Sequence, residues 1–277
     1  VAAGMVSIIL GTILVRQITR PLANLRTAVT TFAQGDLSVR IPIKSKDEVG
    51  KVADAFNNMA GQLQRTEQSR QQMVADVAHE LRTPLSVMQS NLEAMLDGLL
   101  DPNPQELTEL HDEVGRLTRM VEDLRLLSLA DAGQLQLINA PLNINKLVTR
   151  TASLHTPLAK ANKVDLHANI PAQPIIINGD SDKLQQALTN LIENGLRYAP
   201  TNGQVRVEVV YSRQKVFLSV ADNGPGIPAA DLSYVFERFW RGDKSRSRHS
   251  GGSGLGLSIV KQIAELHGGT IQVITPE

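Results

Sequence analysis

DVAHELRTPL, residues 76–85, lies inside a run of regularly spaced apolar residues and places a histidine where a packed helix has no use for one. Val77, Leu81, Met88, Leu92, Met95 and Leu99 mark the run, which predicts a coiled-coil-like helix from about residue 73. With Val74 and Val77 at a and d and Leu81 at the next a, His79 falls at f, the position aimed at solvent. A single surface histidine is inconsequential by default; the neighbours of this one argue otherwise. Glu80 adjoins it, and Thr83 stands on the same face one turn on. Pro84 deprives the Glu80 carbonyl of its helical donor, at a cost of about 3 kcal/mol, so a kink is expected there. A neutral, exposed imidazole is a competent nucleophile, and an adjacent carboxylate can accept its proton.

The pattern continues on both sides. DPNP at 101–104 is expected to end the first helix after Leu99. A second helix follows, with Leu107, Leu110, Val114, Leu117, Val121 and Leu124, and Gly133 closes it. Two helices with seams this narrow cannot bury themselves, which predicts dimerisation into a four-helix bundle. Upstream, Leu22, Leu25, Val29 and Phe32 form one short heptad seam, and Val49, Val52, Phe56, Met59 and Leu63 another. Between them Leu37, Val39, Ile41 and Ile43 alternate along an extended connector. Extrapolated, the upstream seam reaches Thr66, Arg70 and Met73, and then steps 73-77-81. That extra residue is a stutter, which predicts a weakly packed joint across the polar run 64–72. The first fifteen residues carry no charge and are followed by Arg16, Arg20 and Arg26. They are too short for a span alone and are taken as the end of a cut one, with the following chain on the cytoplasmic side.

After residue 140 the pattern changes class. Ile175–Ile177, VRVEVV at 205–210 and VFLSVA at 216–221 are predicted strands, while 182–198 and 256–267 are predicted helices, which makes an α/β layer. NLIENGLRY at 190–198 sets Asn190 and Asn194 one turn apart, and their carboxamide oxygens are hard ligands suited to Mg²⁺. DNGPGIP at 222–228 turns sharply after a strand, where Asp222 can accept from an exocyclic amine. GGSGLGL at 251–257 opens a helix, a favourable place for phosphate, although no strand precedes it as a dinucleotide fold would require. Between these loops FERFWRGDKSRSRHS at 236–250 sets Arg238, Arg241, Lys244, Arg246 and Arg248 against Glu237 and Asp243, as a triphosphate-clamping lid would. His111, His155, His167, His249 and His267 show no ligand-like spacing.

The absence of cysteine excludes disulfide frameworks, thiolate catalysis and Cys-ligated metals. Twenty-eight basic and 28 acidic residues give no net charge, which offers no footprint for nucleic acid. That balance is segregated: nine basic and five acidic residues in 1–70, four and twelve in 71–132, fifteen and eleven in 133–277. The acidic middle block is expected to repel free nucleotide and orient the basic lid, with Glu109, Asp112 and Glu113 as candidate acids.

DVAHELRTPL resembles the H-box of sensor histidine kinases, and 190–198, 222–228, 236–250 and 251–257 resemble the N-, G1-, F- and G2-boxes of the same family. ITRPL at 18–22 and DEVG at 47–50 resemble the HAMP relay module. The resemblance implies a multi-domain chain, a coiled-coil and four-helix-bundle homodimer joined to an α/β sandwich of Bergerat type. Its implied parts are 1–15, the end of a transmembrane helix; 16–68, the HAMP linker; 69–133, the dimerisation and phosphotransfer hairpin; and 134–277, the ATP-binding domain with its last strand missing. It implies a chain cut at both ends, without room at 64–72 for a further sensor. His79 would be the phosphoacceptor, Glu80 its acid/base partner and Thr83 the dephosphorylation residue. ATP would be held by Asn190, Asn194, Arg197, Tyr198, Asp222, Gly224, Gly226, Ile227, Phe236, Phe239, Arg241, Gly252, Gly254, Leu255, Gly256 and Leu257. Asn194, with Asn190 as a second candidate, would hold Mg²⁺. Gly195 departs from the alanine usual there, which is expected to loosen the helix. The implied partners are a response-regulator receiver domain and the cytoplasmic membrane, with no nucleic acid. Three other readings stay open: a HAMP scaffold without catalysis, an ATPase of the wider Bergerat group, and a kinase biased to phosphatase output.

Overall fold

A computed structural model describes residues 2–14, 19–42, 47–242 and 252–275. The chain divides into two units, Val1–His79 and Glu80–Glu277. In the first, α1 (Ala2–Leu14) is uncharged, and among the described residues no helix is long and apolar enough to cross a membrane. Pro21 sits in the first turn of α2 (Arg20–Ala33), where its missing N–H is no loss. α3 (Glu48–Leu96) starts at DEVG because the Asp47 carboxylate accepts from the Val49 and Gly50 N–H groups at 3.0 and 3.1 Å.

The connector between α2 and α3 is extended, as its alternation predicts. Ile41 is buried with Ala28, Ala53, Phe56 and Ala60, and Leu25, Phe32 and Val39 pack on them. Asn57 fixes the connector by bonding both the N–H and the C=O of Ile41 at 2.8 Å. Ile43 lies outside the described residues. The two predicted seams split in the single chain. Leu25, Phe32 and Phe56 turn inward, whereas Leu22, Val29, Val52, Met59 and Leu63 stay about half exposed.

α3 is helical without a break through 64–72 and through Pro84. The stutter and the proline therefore act, if at all, without interrupting the helix. It ends at Leu96, earlier than the DPNP turn. Gly98, at φ +72°, reverses the chain, and the Leu99 N–H closes on the Ala94 carbonyl at 2.8 Å. Leu99 thus lies beyond the helix and is 82% exposed. In the second unit α4 (Pro104–Asp131) begins with Asn103 capping the Glu106 N–H. It stops at Gly133, φ +64°, where the Gln134 N–H reaches the Leu129 carbonyl.

The α/β part follows: β1 (Ala140–Asn143), α5 (Ile144–Ala161), β2 (Asp165–Asn169), β3 (Ile176–Gly179), α6 (Ser181–Tyr198), β4 (Gln204–Ser212), β5 (Lys215–Asp222) and α7 (Gly256–Leu266). β1 and β3 pair antiparallel; β4 is central in a second sheet, parallel to β2 and antiparallel to β5. Val205, Val207 and Val209 alternate inward from β4 onto Leu188, Ile192 and Leu196 of α6 and Ile144, Leu147 and Val148 of α5. A second core joins Met120, Leu126 and Leu127 of α4 to Ala187 of α6 and to Leu255, Ile259, Val260 and Ile263; Leu81 of α3 packs on it.

Asp180 ties three segments together and is 6% exposed. Its carboxylate accepts from the N–H groups of Ile138, Asp182 and Lys183 at 2.9–3.1 Å, capping α6. Its own N–H donates to His267 Nε2 at 3.0 Å, at the end of α7. Burial pushes the carboxyl upward, but the three amides outweigh it and leave the pKa below the ordinary value. Asp180→Ala is expected to lower stability by about 3 kcal/mol, which is about 6–12 °C in Tm. Because the folded pKa is depressed, this stability is present at neutral pH and is lost as pH falls through the carboxylate range. Urea titrations at pH 7 and pH 4 should therefore show the gap between wild type and variant narrowing in acid.

Candidate active site

The C-terminal half of α6 is the centre around which the glycine loops gather. Asn190 and Asn194 are half-buried on it, and Asn190 Nδ2 donates to the Gly256 carbonyl at 3.5 Å, at the start of α7. A Cβ on Gly256 would stand 3.7 Å from the Asn190 side chain. The Arg197 guanidinium lies directly over Gly252, and a side chain there would have to displace this flexible end. At the end of α6 the Tyr198 carbonyl oxygen would be 2.6 Å from a Cβ on Gly224. Asp222 ends β5, and its Oδ1 accepts from the Gly224 N–H at 2.8 Å, which shapes the turn. Gly226 turns at φ +72°, and the Ile227 N–H reaches Thr275 Oγ1 at 3.4 Å.

The aromatic stretch closes on the same place. Phe236 and Phe239 are half-buried, and Phe239 adopts φ +58°, a costly backbone for an aromatic residue. Its backbone would lie 2.8 Å from a Cβ on Gly254, itself at φ +71°. Gly252, Gly254 and Gly256 therefore stand against Arg197, Phe239 and Asn190 in turn, and Leu257 follows in the first turn of α7. The Leu255 side chain is 0% exposed in the α4–α7 core, so what it can offer a ligand is backbone. Gly195 is a correction in its physical meaning. A Cβ there would stand 3.2 and 3.3 Å from the Val205 methyls, so glycine lets α6 approach β4 closely.

On α3, His79 and Thr83 are exposed and Glu80 is half-buried, as the heptad register predicts for His79. Arg241 stands 3.8 Å from the Glu80 carboxylate. Arg238 makes a two-pronged pair with Asp131 at the end of α4, at 2.8 and 2.6 Å. The acidic block does meet the basic stretch, but through Glu80 and Asp131. Glu113 instead pairs with Arg116, and Glu109 accepts from Gln105. The remaining lid charges, Asp243, Lys244, Arg246 and Arg248, lie with His249 outside the described residues.

Two polar contacts carried no signal in the sequence. His155 of α5 sits 3.7 Å from Glu193, next to Asn194. This contact raises the histidine pKa, and, against the effect of burial, lowers that of Glu193. Asp123 of α4 meets Gln186 of α6. A cavity of about 510 Å³ between the ends of α5 and α6 is lined by Leu158, Asn162, Glu193, Leu196 and Arg197, among others. It shares Arg197 with the glycine loops but touches neither Asp222 nor any glycine, so it flanks the site.

Comparison with known proteins places domains on this geometry. Residues 13–65 match the HAMP domain, 69–133 the His Kinase A (phospho-acceptor) domain, and 179–277 the histidine kinase-, DNA gyrase B- and HSP90-like ATPase domain. The chain carries the domain set of the sensor histidine kinases. It is 38% identical over 259 residues to the signal transduction histidine-protein kinase BaeS of Escherichia coli, covering 94% of this chain and 55% of that protein. It is 34% identical over 277 residues to the histidine-protein kinase/phosphatase MprB of Mycobacterium leprae, covering 97% and 52%. The solved histidine kinase AdeS of Acinetobacter baumannii superposes with TM-score 0.57 at 28% identity, over 68% of this chain and 86% of that one. The chain spans about half the length of these two curated relatives. The expected architecture, helical HAMP and phosphoacceptor regions followed by an α/β ATPase domain, is thereby borne out.

Proposed function

We propose that this chain is an ATP-dependent protein-histidine kinase that phosphorylates itself on His79 and passes the phosphoryl group to an aspartate of a response regulator. The observation that supports it best is the convergence of 190–198, 222–226, 239–240 and 252–256 on one end of α6. In this reading Asp222 takes the adenine amine and the glycine backbones let phosphates approach. Arg197 and Arg241 meet their charge. An imidazole nitrogen of His79 attacks the γ-phosphorus, the N–P bond forms as the bond to ADP oxygen breaks, and Glu80 receives the ring proton. Arg241 beside Glu80 must give way for that carboxylate to act as a base. Thr83 then orients water against a phosphoryl group when the kinase runs as a phosphatase, the second activity in the printed name of MprB.

Among the described residues no group of three or more His, Asp or Glu is arranged to hold a metal. Mg²⁺ needs only one or two protein oxygens when phosphates supply the others, and Asn194 with Asn190 would be such a set. Bound there, the ion would neutralise charge on the triphosphate.

The parts assigned are 1–15 membrane-side helix, 16–68 HAMP, 69–133 phosphotransfer hairpin and 134–277 ATP-binding domain. Two rows of exposed apolar residues, Val52, Met59 and Leu63 in one and Leu107, Val114 and Val121 in the other, support a homodimer. Exposed Met5, Val6, Ile8 and Ile9 on α1 support anchorage at the cytoplasmic membrane, with the other domains in the cytoplasm. Incubation with γ-labelled ATP should label the chain with an acid-labile, alkali-stable phosphate, and α-labelled ATP should not. ATP hydrolysis without such label would overturn the kinase reading in favour of a plain ATPase.

A further inference from the structure

The seat of the nucleotide domain on α4 is mostly apolar. Met120, Leu124 and Leu127 face Ala187 and Leu191 of α6 and Leu255, Ile259 and Ile263 at α7. Asp123 lies three residues after Met120 and four before Leu127, on the same stripe, and is half-buried. Across the seam Gln186 Nε2 donates to its Oδ1 at 3.2 Å. An amide supplies a hydrogen bond but no charge. The charged groups that act on it are one base and two acids, Arg119 and Glu122 on α4 itself and Glu193 from α6, so the balance is acidic and favours the proton. Behind Glu193 stand Arg197 and, from α5, His155. The α7 side of the seam is apolar.

We propose that Asp123 makes the docking of the nucleotide domain on α4 proton-dependent, so that docking tightens as pH falls from 7.5 to 5.5. Burial pushes this carboxyl from its ordinary 3.8 up to about 6 in the docked arrangement. Released into water it returns to the ordinary value. A carboxyl whose pKa is higher docked than undocked binds its proton better when docked, so protonation favours docking. Between pH 7.5 and 5.5 the docking equilibrium should shift by about two- to fourfold, allowing for partial solvent screening. Two ion pairs, Arg238–Asp131 and Arg241–Glu80, stand at the seam's edge. His155 gains charge as pH falls and offsets Glu193, which trims the rise at Asp123 but leaves its main cause, burial, untouched.

The absence of cysteine makes the test direct. Spin labels at Thr118→Cys on α4 and Arg213→Cys at the β4–β5 turn, in a chain diluted with unlabelled protein, report docking as a distance distribution. In otherwise wild-type protein the docked population should grow relative to the undocked by about two- to fourfold from pH 7.5 to 5.5. Asp123→Asn should raise the docked population at pH 7.5 and abolish the pH response. Gln186→Leu, which removes the donor across the seam, should move the response to higher pH. A flat wild-type response, or an unchanged slope in Asp123→Asn, overturns the proposal. Neither readout depends on kinase activity, so the proposal stands or falls separately from the reading above.

Discussion

His79→Gln will abolish phosphoryl incorporation, with labelling reduced by at least about 1000-fold. Glutamine is close to histidine in size and is a better helix former, but its amide has no nucleophilic lone pair. His79 is exposed on an unbroken stretch of α3, so the exchange should change stability by no more than about 0.5 kcal/mol. Lost label with an unchanged melting curve would therefore report chemistry. The other described histidines are poor substitutes. His155 and His267 each turn Nδ1 to a helix carbonyl at 2.8 Å and engage Nε2 with Glu193 or the Asp180 N–H. His111 and His167 are exposed, and His111 has an adjacent acid in Asp112, 3.7 Å away, but neither is followed by the Thr and Pro that stand four and five residues after His79. Label persisting in the variant, for instance on His111, would sink the assignment. Glu80→Gln should be milder, about 100-fold in rate with nucleotide affinity unchanged.

Gly254→Ala should weaken nucleotide binding by about 100-fold, for two reasons that add. The residue sits at φ +71°, which alanine adopts only under strain. Its new methyl would lie 2.8 Å from the Cα and C atoms of Phe239 and 3.0 Å from the Trp240 carbonyl oxygen, all backbone, which cannot swing aside. Relief requires pushing the 236–242 stretch away from the α7 loop, which opens the phosphate side of the site. Equilibrium titration with a fluorescent ATP analogue measures this, and a Kd within threefold of wild type would refute it. Because Leu255 next to it anchors the loop in the core, the variant should still fold.

Much of this was legible because it was local. Heptad spacing located α4 and the exposed face of α3, and Asp47, Asn103 and Gly133 mark ends by chemistry within three or four residues. The nucleotide boxes were legible as strings, yet their meeting around α6 was not, since Arg197 and Gly252 are brought together only by the fold. α5 escaped notice because Pro157 and a Thr-rich face hide its period. β2 escaped because it is a largely exposed edge with no clean alternation. That the Leu255 side chain turns into the core was not legible, because a glycine-rich string does not say which leucine faces inward. Arg238–Asp131 and Gln186–Asp123 join residues 107 and 63 apart, and no local pattern announces such pairs.

The left-handed backbone at Phe239 has a consequence for timing. The ring packs on the α4–α7 core while Arg238, one residue earlier, grips Asp131. Holding an aromatic residue at φ +58° stores about 1–3 kcal/mol in that grip. The stored energy is returned when the stretch lets go, so release should run roughly five- to a hundredfold faster than contacts of the same size would otherwise allow. The stretch that holds α4 would thus carry its own return spring.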